Sequence, residues 1–146
     1  MMPMTPAVID GNTRETVRYP ADELMLRVAD GPVHVTEYVS TDREGPPPHT
    51  HLWDEVEYVI EGEVELYQRG RWTRGGPGTV QMLPAGEAHS VRVPHGQARL
   101  LMVTMGAPFA PFARELSALY STGSADPAKI VAVARRHGLE LESKQG

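Results

Sequence analysis

Short apolar runs punctuated by glycine and proline fill the middle of the chain. Val33–Ser40, Glu55–Glu61, Glu63–Arg69, Thr79–Leu83, Ala88–Val93 and Ala98–Thr104 are rich in Val, Tyr, Leu and Thr and are five to eight residues long, the usual reach of a strand. This pattern predicts six or more strands, paired antiparallel with their neighbours in sequence. Arg69-Gly70-Arg71, between Tyr67 and Trp72, reads as a hairpin, and Glu61-Gly62-Glu63 as a bend at which only glycine sits comfortably. Helical spacing comes late in the chain, where Phe112, Leu116 and Leu119 recur after Pro111. A second helix has both ends marked. Asp126 stands as N-cap with Pro127 at the first helical position, Arg135, Arg136 and His137 fall in the last turn, and Gly138 follows. Ser121–Ala125 joins the two helices as a short connector.

One run carries an unusual alternation. Glu55, Glu57, Val59 and Glu61 share one face of a strand, and Val56, Tyr58 and Ile60 share the other. One face is apolar and the other begins acidic, which conflicts with a wholly apolar interior on the acidic side. A second layer, an N-terminal strand or a partner subunit would cover the apolar face; a bulge near Glu57 would reverse the assignment.

Length and composition set bounds on this picture. A chain of 146 residues fits a single domain, here expected over residues 1–146, with a barrel core over about 31–104 and a helical tail over about 108–146. No apolar run approaches the ~18 residues of a membrane helix, and the N-terminal MMPMTPAVIDGNT lacks the basic and apolar regions of a secretory signal. A cytoplasmic location without a membrane partner is expected. The formal charge is −5 with basic residues scattered, which argues against nucleic acid as a partner. Without cysteine, any metal site must use histidine and carboxylate.

Those ligands fall in two stretches. Prolines 46–48 stiffen the approach to His49-Thr50-His51, and in an extended strand His49 and His51 project to one face. Glu55 has the same parity, so an uninterrupted strand would present three ligands from one hairpin arm. The bland alternative for the two histidines is a solvated strand edge. In the second stretch, Gly78 to His89, a strand ends at a Pro84-Ala85-Gly86 turn and His89 follows, sharing parity with Val91 and Val93, so it reads as pointing inward. A lone inward histidine is more often a hydrogen-bonded core residue than a ligand.

Together the two stretches resemble the cupin superfamily. Its first motif matches His49-x-His51-x3-Glu55-x6-Gly62, and its second matches Gly78-x5-Pro84-x-Gly86-x2-His89. Two positions depart from the pattern: Gly45 precedes His49 by three residues instead of five, and Val93 stands where the second motif has Asn. The segment from Pro108 to Tyr120 and the Asp126–Gly138 helix are similar to the tail of quercetin dioxygenase-like monocupins. The resemblance implies an all-β fold, a double-stranded β-helix or jelly roll with one or two short C-terminal α-helices. It also implies a homodimer and one metal ion held by His49, His51, Glu55 and His89.

Such a donor set suits a borderline divalent transition metal, Fe(II) or Ni(II) first and Mn, Co, Zn or Cu as alternatives, and disfavours Ca or Mg. Four protein ligands leave a position open for a small-molecule substrate or O₂. The resemblance points first to a metal-dependent, quercetinase-like dioxygenase acting on a small enolisable or phenolic substrate, with Glu55 both ligand and catalytic base. A non-redox isomerase or polyketide cyclase is the alternative, and a non-catalytic small-molecule or metal-binding module is another. Trp53, Glu57, Val91, Met102 and Phe112 are expected to line the substrate pocket. Met82, Met105 and Phe109 are expected, like Met102 and Phe112, to pack the core or close the barrel mouth. His34, His95 and His137 are read as surface or loop residues.

Overall fold

The computed structural model describes residues 2–12, 15–106 and 109–142; the outer limits of the expected helical tail, Pro108 and 143–146, lie outside them. In chain order the elements are β1 (Glu15–Tyr19), β2 (Asp22–Val28), β3 (Val33–Ser40), β4 (His49–His51), β5 (Asp54–Glu61), β6 (Val64–Gln68), β7 (Arg71–Gly75), β8 (Val80–Leu83), β9 (His89–Arg92), β10 (Ala98–Met105), α1 (Phe109–Ser121), α2 (Pro127–Arg136) and β11 (Leu139–Leu141). The six runs read from the sequence each become a strand, with ends shifted by one residue at most. Two of the hairpins are tight. At the β6–β7 turn both Arg69 (φ 53°) and Gly70 (φ 78°) take left-handed backbone angles, the requirement of a two-residue turn that matches strand twist.

Pairing is antiparallel throughout the described sheets, but sequential pairing holds only for β1–β2–β3 and β6–β7. One sheet has the order β1-β2-β3-β10-β5-β8 and the other β11-β4-β9-β6-β7. The jelly-roll path places β10 between β3 and β5, with Met102 opposite both Thr36 and Glu57. Such long-range pairing leaves no trace in the local sequence.

The alternation noted in β5 is resolved, and it holds for several strands of the larger sheet. Glu55, Glu57 and Val59 face inward and are buried, as are Gln81 and Leu83 on β8 and His34, Thr36 and Ser40 on β3. The outer face is apolar instead: Val35, Val103, Val56 and Met82 form one row across four strands. Met82 is 62% exposed, so it does not pack the core as its apolar side chain suggested. The barrel interior is closed at one end by Val59, Val64, Leu66, Val93, Ala98 and Leu100. At the other end Trp53, Met102, Phe109, Phe112, Leu116 and Val133 pack in a second cluster with the helices.

Helix α1 begins two residues before Pro111, which occupies the first turn, where no backbone N–H is needed. Its start is capped by an unexpected residue. His34, read as a surface or loop residue, is only 2% exposed, and its Nδ1 accepts a hydrogen bond from the Ala110 N–H at 3.2 Å. His137 is half-buried beside Glu115, while His95 is exposed as expected. Helix α2 follows its sequence signals, with the Asp126 carboxylate accepting from the Lys129 N–H at 2.9 Å. The chain then returns to pair β11 with β4, Leu139 opposite His51 and Leu141 opposite His49.

Candidate metal centre

Glu55 comes from the larger sheet and the histidines from the smaller one, so the candidate ligands meet across the barrel interior. The expected uninterrupted strand from His49 to Glu55 does not form. After His51 the chain bends at Leu52 and Trp53 and changes sheets, and parity alone would not have delivered Glu55 to the same point. The Pro84-Ala85-Gly86 turn fastens this bend. The Gly86 N–H donates to the His51 carbonyl at 2.9 Å and the Ala85 N–H to Asp54 Oδ1 at 2.8 Å. The turn of the second motif thus ties itself to the first and sets His89 opposite His49 in the β4–β9 pair. Gly45, displaced from the usual spacing, lies against β9 with φ 72°, and a side chain there would collide with the Val91 carbonyl oxygen.

All three imidazoles are held by the same device. Nδ1 of His49 lies 3.0 Å from the Pro47 carbonyl oxygen, Nδ1 of His51 2.8 Å from that of Trp53, and Nδ1 of His89 2.9 Å from that of Glu87. A carbonyl only accepts, so each Nδ1 carries a proton and each ring turns its Nε2 elsewhere. For His51 and His89 that direction is the Glu55 carboxylate, at 3.3 Å and 3.5 Å. Both Nε2 atoms are buried and, among the described residues, without a hydrogen-bond partner. Lone pairs of two imidazoles and a carboxylate facing one another in a buried space require a cation, a proton or a metal ion, between them. His51, Glu55 and His89 offer ligand atoms all within 4.8 Å of one another, and these residues fit a divalent ion. His49 lies outside this tight group, with its ring centred 4.4 Å from that of His89 and 6.4 Å from that of His51.

The charges follow from this crowding. Burial alone would raise the Glu55 carboxyl, but the close approach of His51 and His89 brings it down to about 2. Burial, helped by the neighbouring His89, pushes His49 down to about 4, so it is neutral. Burial also works against a charged His89, and Glu55 outweighs it, leaving that ring above its ordinary value. Glu57 has no such partner; burial and the adjacent Glu55 push it up to about 8. Its Oε1 accepts from the Tyr38 hydroxyl at 2.6 Å, while Oε2 is buried and unpartnered.

A cavity of about 890 Å³ opens from these ligands and runs beneath α1 and α2. All five expected lining residues, Trp53, Glu57, Val91, Met102 and Phe112, border it. The sequence reading missed further lining residues: Tyr19, Tyr38, Tyr120, Ile130 and Ala134. Tyr38 had a usable signal: it shares parity with His34, Thr36 and Ser40, the polar inner face of β3. Trp53 stacks on His51 with ring centres 4.4 Å apart and planes within 2°.

Comparison with known proteins places this geometry. Residues 33–104 match the family model Cupin_2, described as a cupin domain. An RmlC-like cupin from Shewanella frigidimarina has a similar structure at 16% identity and TM-score 0.61, covering 73% of this chain and 94% of that one. The polyketide cyclase RemF from Streptomyces resistomycificus is 27% identical over 70% of this chain and 79% of its own, with TM-score 0.55. Pac13, a nucleoside dehydratase, covers 69% of this chain and 82% of its own at 12% identity and TM-score 0.56. No curated protein matches the sequence. Among the described residues no helix is long and apolar enough to cross a membrane.

Proposed function

With residues 33–104 matching the cupin domain model, we propose that the chain is a metal-dependent enzyme that rearranges an enolisable or phenolic substrate by proton transfer, in the manner of a polyketide cyclase. The observation that carries this reading is the junction of a large, mostly apolar cavity with the His51–Glu55–His89 group and a second buried carboxylate, Glu57. The 27% identity with a polyketide cyclase supports it.

His51, Glu55 and His89 would hold the ion, with His49 beside them as the proposed fourth ligand, and the ion would supply a Lewis acid for a substrate oxygen. Each Nδ1–H bond to a backbone carbonyl keeps its imidazole turned toward the centre. Glu55 and Glu57 lie two residues apart on the inner face of β5, one beside the ligands and one against Tyr38, and so present two carboxyl groups to one ligand for moving a proton between its atoms. Trp53, Met102 and Phe112 exclude water from that exchange.

Quercetinase-like oxygenation is the second reading, because imidazoles with one carboxylate equally suit a redox-active ion. One experiment separates them: metal-loaded protein is incubated with a polyphenol panel under nitrogen and under air. Rearranged or dehydrated product formed under nitrogen supports the cyclase-type reading. Turnover only in air, with both atoms of O₂ found in the product, replaces it with the second.

We also propose a homodimer formed through the outer face of the larger sheet. Tyr58 on β5 and Val80 and Met82 on the edge strand β8 are 43%, 51% and 62% exposed there, an apolar patch suited to a second copy.

A further inference from the structure

The cavity has a second polar end that the metal centre does not use. Tyr19 borders it from β1, at the opposite side of the larger sheet from Glu55 on β5. Four strand spacings separate them, about 19 Å measured along the sheet. The Tyr19 hydroxyl is buried and, among the described residues, has no hydrogen-bond partner. Burial, with Asp22 and Tyr120 adding to it, holds this phenol far above its ordinary value, so it is a standing O–H donor. A buried donor left unmade is costly, and nothing in the fold requires it: a phenylalanine would pack equally well against Tyr120, whose ring is centred 6.0 Å away.

Between the two ends the walls are Leu24, Met102, Phe109, Phe112 and Leu116. They suit flat apolar rings, and a volume of about 890 Å³ lies at the upper end of the usual range for small-molecule sites. At the Tyr19 end the acidic side chains are Asp22, which acts on Tyr19 and Tyr120, and Asp42, which acts on Tyr120. A negative charge at that end of a ligand would be repelled.

We propose that Tyr19 is the distal anchor of the cavity, donating a hydrogen bond to an oxygen at the far end of an uncharged, planar, multi-ring ligand whose near end lies at the His51–Glu55–His89 group. This names the substrate class for the site and rests on reading the cavity as the substrate pocket.

Apigenin and chrysin test it. Both flavones carry the same hydroxy-keto pair for the near end, and apigenin adds one hydroxyl on the remote ring. Titration calorimetry with metal-loaded wild type is expected to give about tenfold tighter binding of apigenin, the worth of one buried hydrogen bond. Tyr19→Phe should bring the two affinities within about twofold by weakening apigenin alone, and should melt no lower than wild type, since the lost hydroxyl had no partner. In metal-free protein, where no ion can take up a carboxylate, anthraquinone-2-carboxylate should bind at least about tenfold more weakly than 2-(hydroxymethyl)anthraquinone, the cost of one unpaired charge near like charges. A preference for apigenin that survives in Tyr19→Phe overturns the proposal, as does a wild type that binds neither flavone or favours neither. A marked loss of melting temperature in Tyr19→Phe, or equal affinity for the two anthraquinones, also counts against it. Metal content, measured separately by elemental analysis, tells failure of this anchor from failure of the metal centre.

Discussion

Trp53 lies flat on the imidazole of His51, and its own carbonyl oxygen takes the Nδ1 proton of that same ring at 2.8 Å. One residue therefore fixes both the plane and the protonation pattern of a candidate ligand. Because the chain has only two tryptophans, Trp53 and Trp72, this contact is also an optical reporter. Adding Ni(II) to metal-free protein is expected to quench tryptophan emission strongly. Trp53→Phe should leave only emission from Trp72 that Ni(II) does not change, and should weaken Ni(II) binding on the order of tenfold. Quenching that persists in the variant would place the ion elsewhere.

Glu55 joins the two sheets at the centre, and its removal should be felt in metal content before anything else. Purified Glu55→Gln and His89→Ala are expected to carry little metal by elemental analysis, and His49→Ala to retain a weakened site. In thermal melts, metal at about a hundredfold over Kd should stabilise wild type by about 2.7 kcal/mol. Glu55→Gln should gain nothing.

His34 supplies the pH dependence, remote from the centre. Burial holds its folded form neutral, below its ordinary value, while the unfolded chain takes up a proton below about pH 6.5. Its contribution is complete above that pH and is lost as the pH falls below it, because the unfolded state then binds the extra proton. His34→Leu strands the buried Ala110 N–H and should cost about 1–3 kcal/mol in urea denaturation at pH 7.5. That gap should narrow by pH 5; a gap that widens would assign His34 another role.

Val80 and Met82 test the proposed dimer. Light scattering of wild type should give twice the chain mass of 16.0 kDa, and Val80→Lys should give the monomer with its fold intact by circular dichroism. A monomeric wild type would leave the apolar face without this partner.

Much of this molecule can be read from sequence where the signal is local. The strand runs, the Arg69-Gly70 turn and the Asp126–Gly138 helix depend on neighbours a few residues apart, and they form as their residues dictate. What eluded the sequence depends on partners far along the chain. The strands β1 and β2 mix charged and apolar residues without clear alternation, and they gain stability by pairing with β3. His34 becomes a cap because α1, some 75 residues later, starts above it. The candidate ligands show both sides of this limit. Their residue types and spacing pointed to one site, but the route did not: Glu55 arrives from the other sheet, after a bend that strand parity does not foresee. The inside-out polarity of β5 was visible as Glu55 and Glu57 against Val56 and Tyr58, and only the layering of the sheets shows that the acidic face is the interior.

The pairing of β11 with β4 bears on the order of events during synthesis. His49 and His51 sit on a three-residue strand that meets β9 through one register pair and is otherwise flanked by Leu139–Leu141. Ninety residues separate His49 from Leu139, so on the ribosome both histidines emerge long before the strand that buttresses them. A nascent chain halted within α2 would expose them unsupported, and the ability to capture an ion firmly is expected to be acquired late, when β11 leaves the exit tunnel and docks.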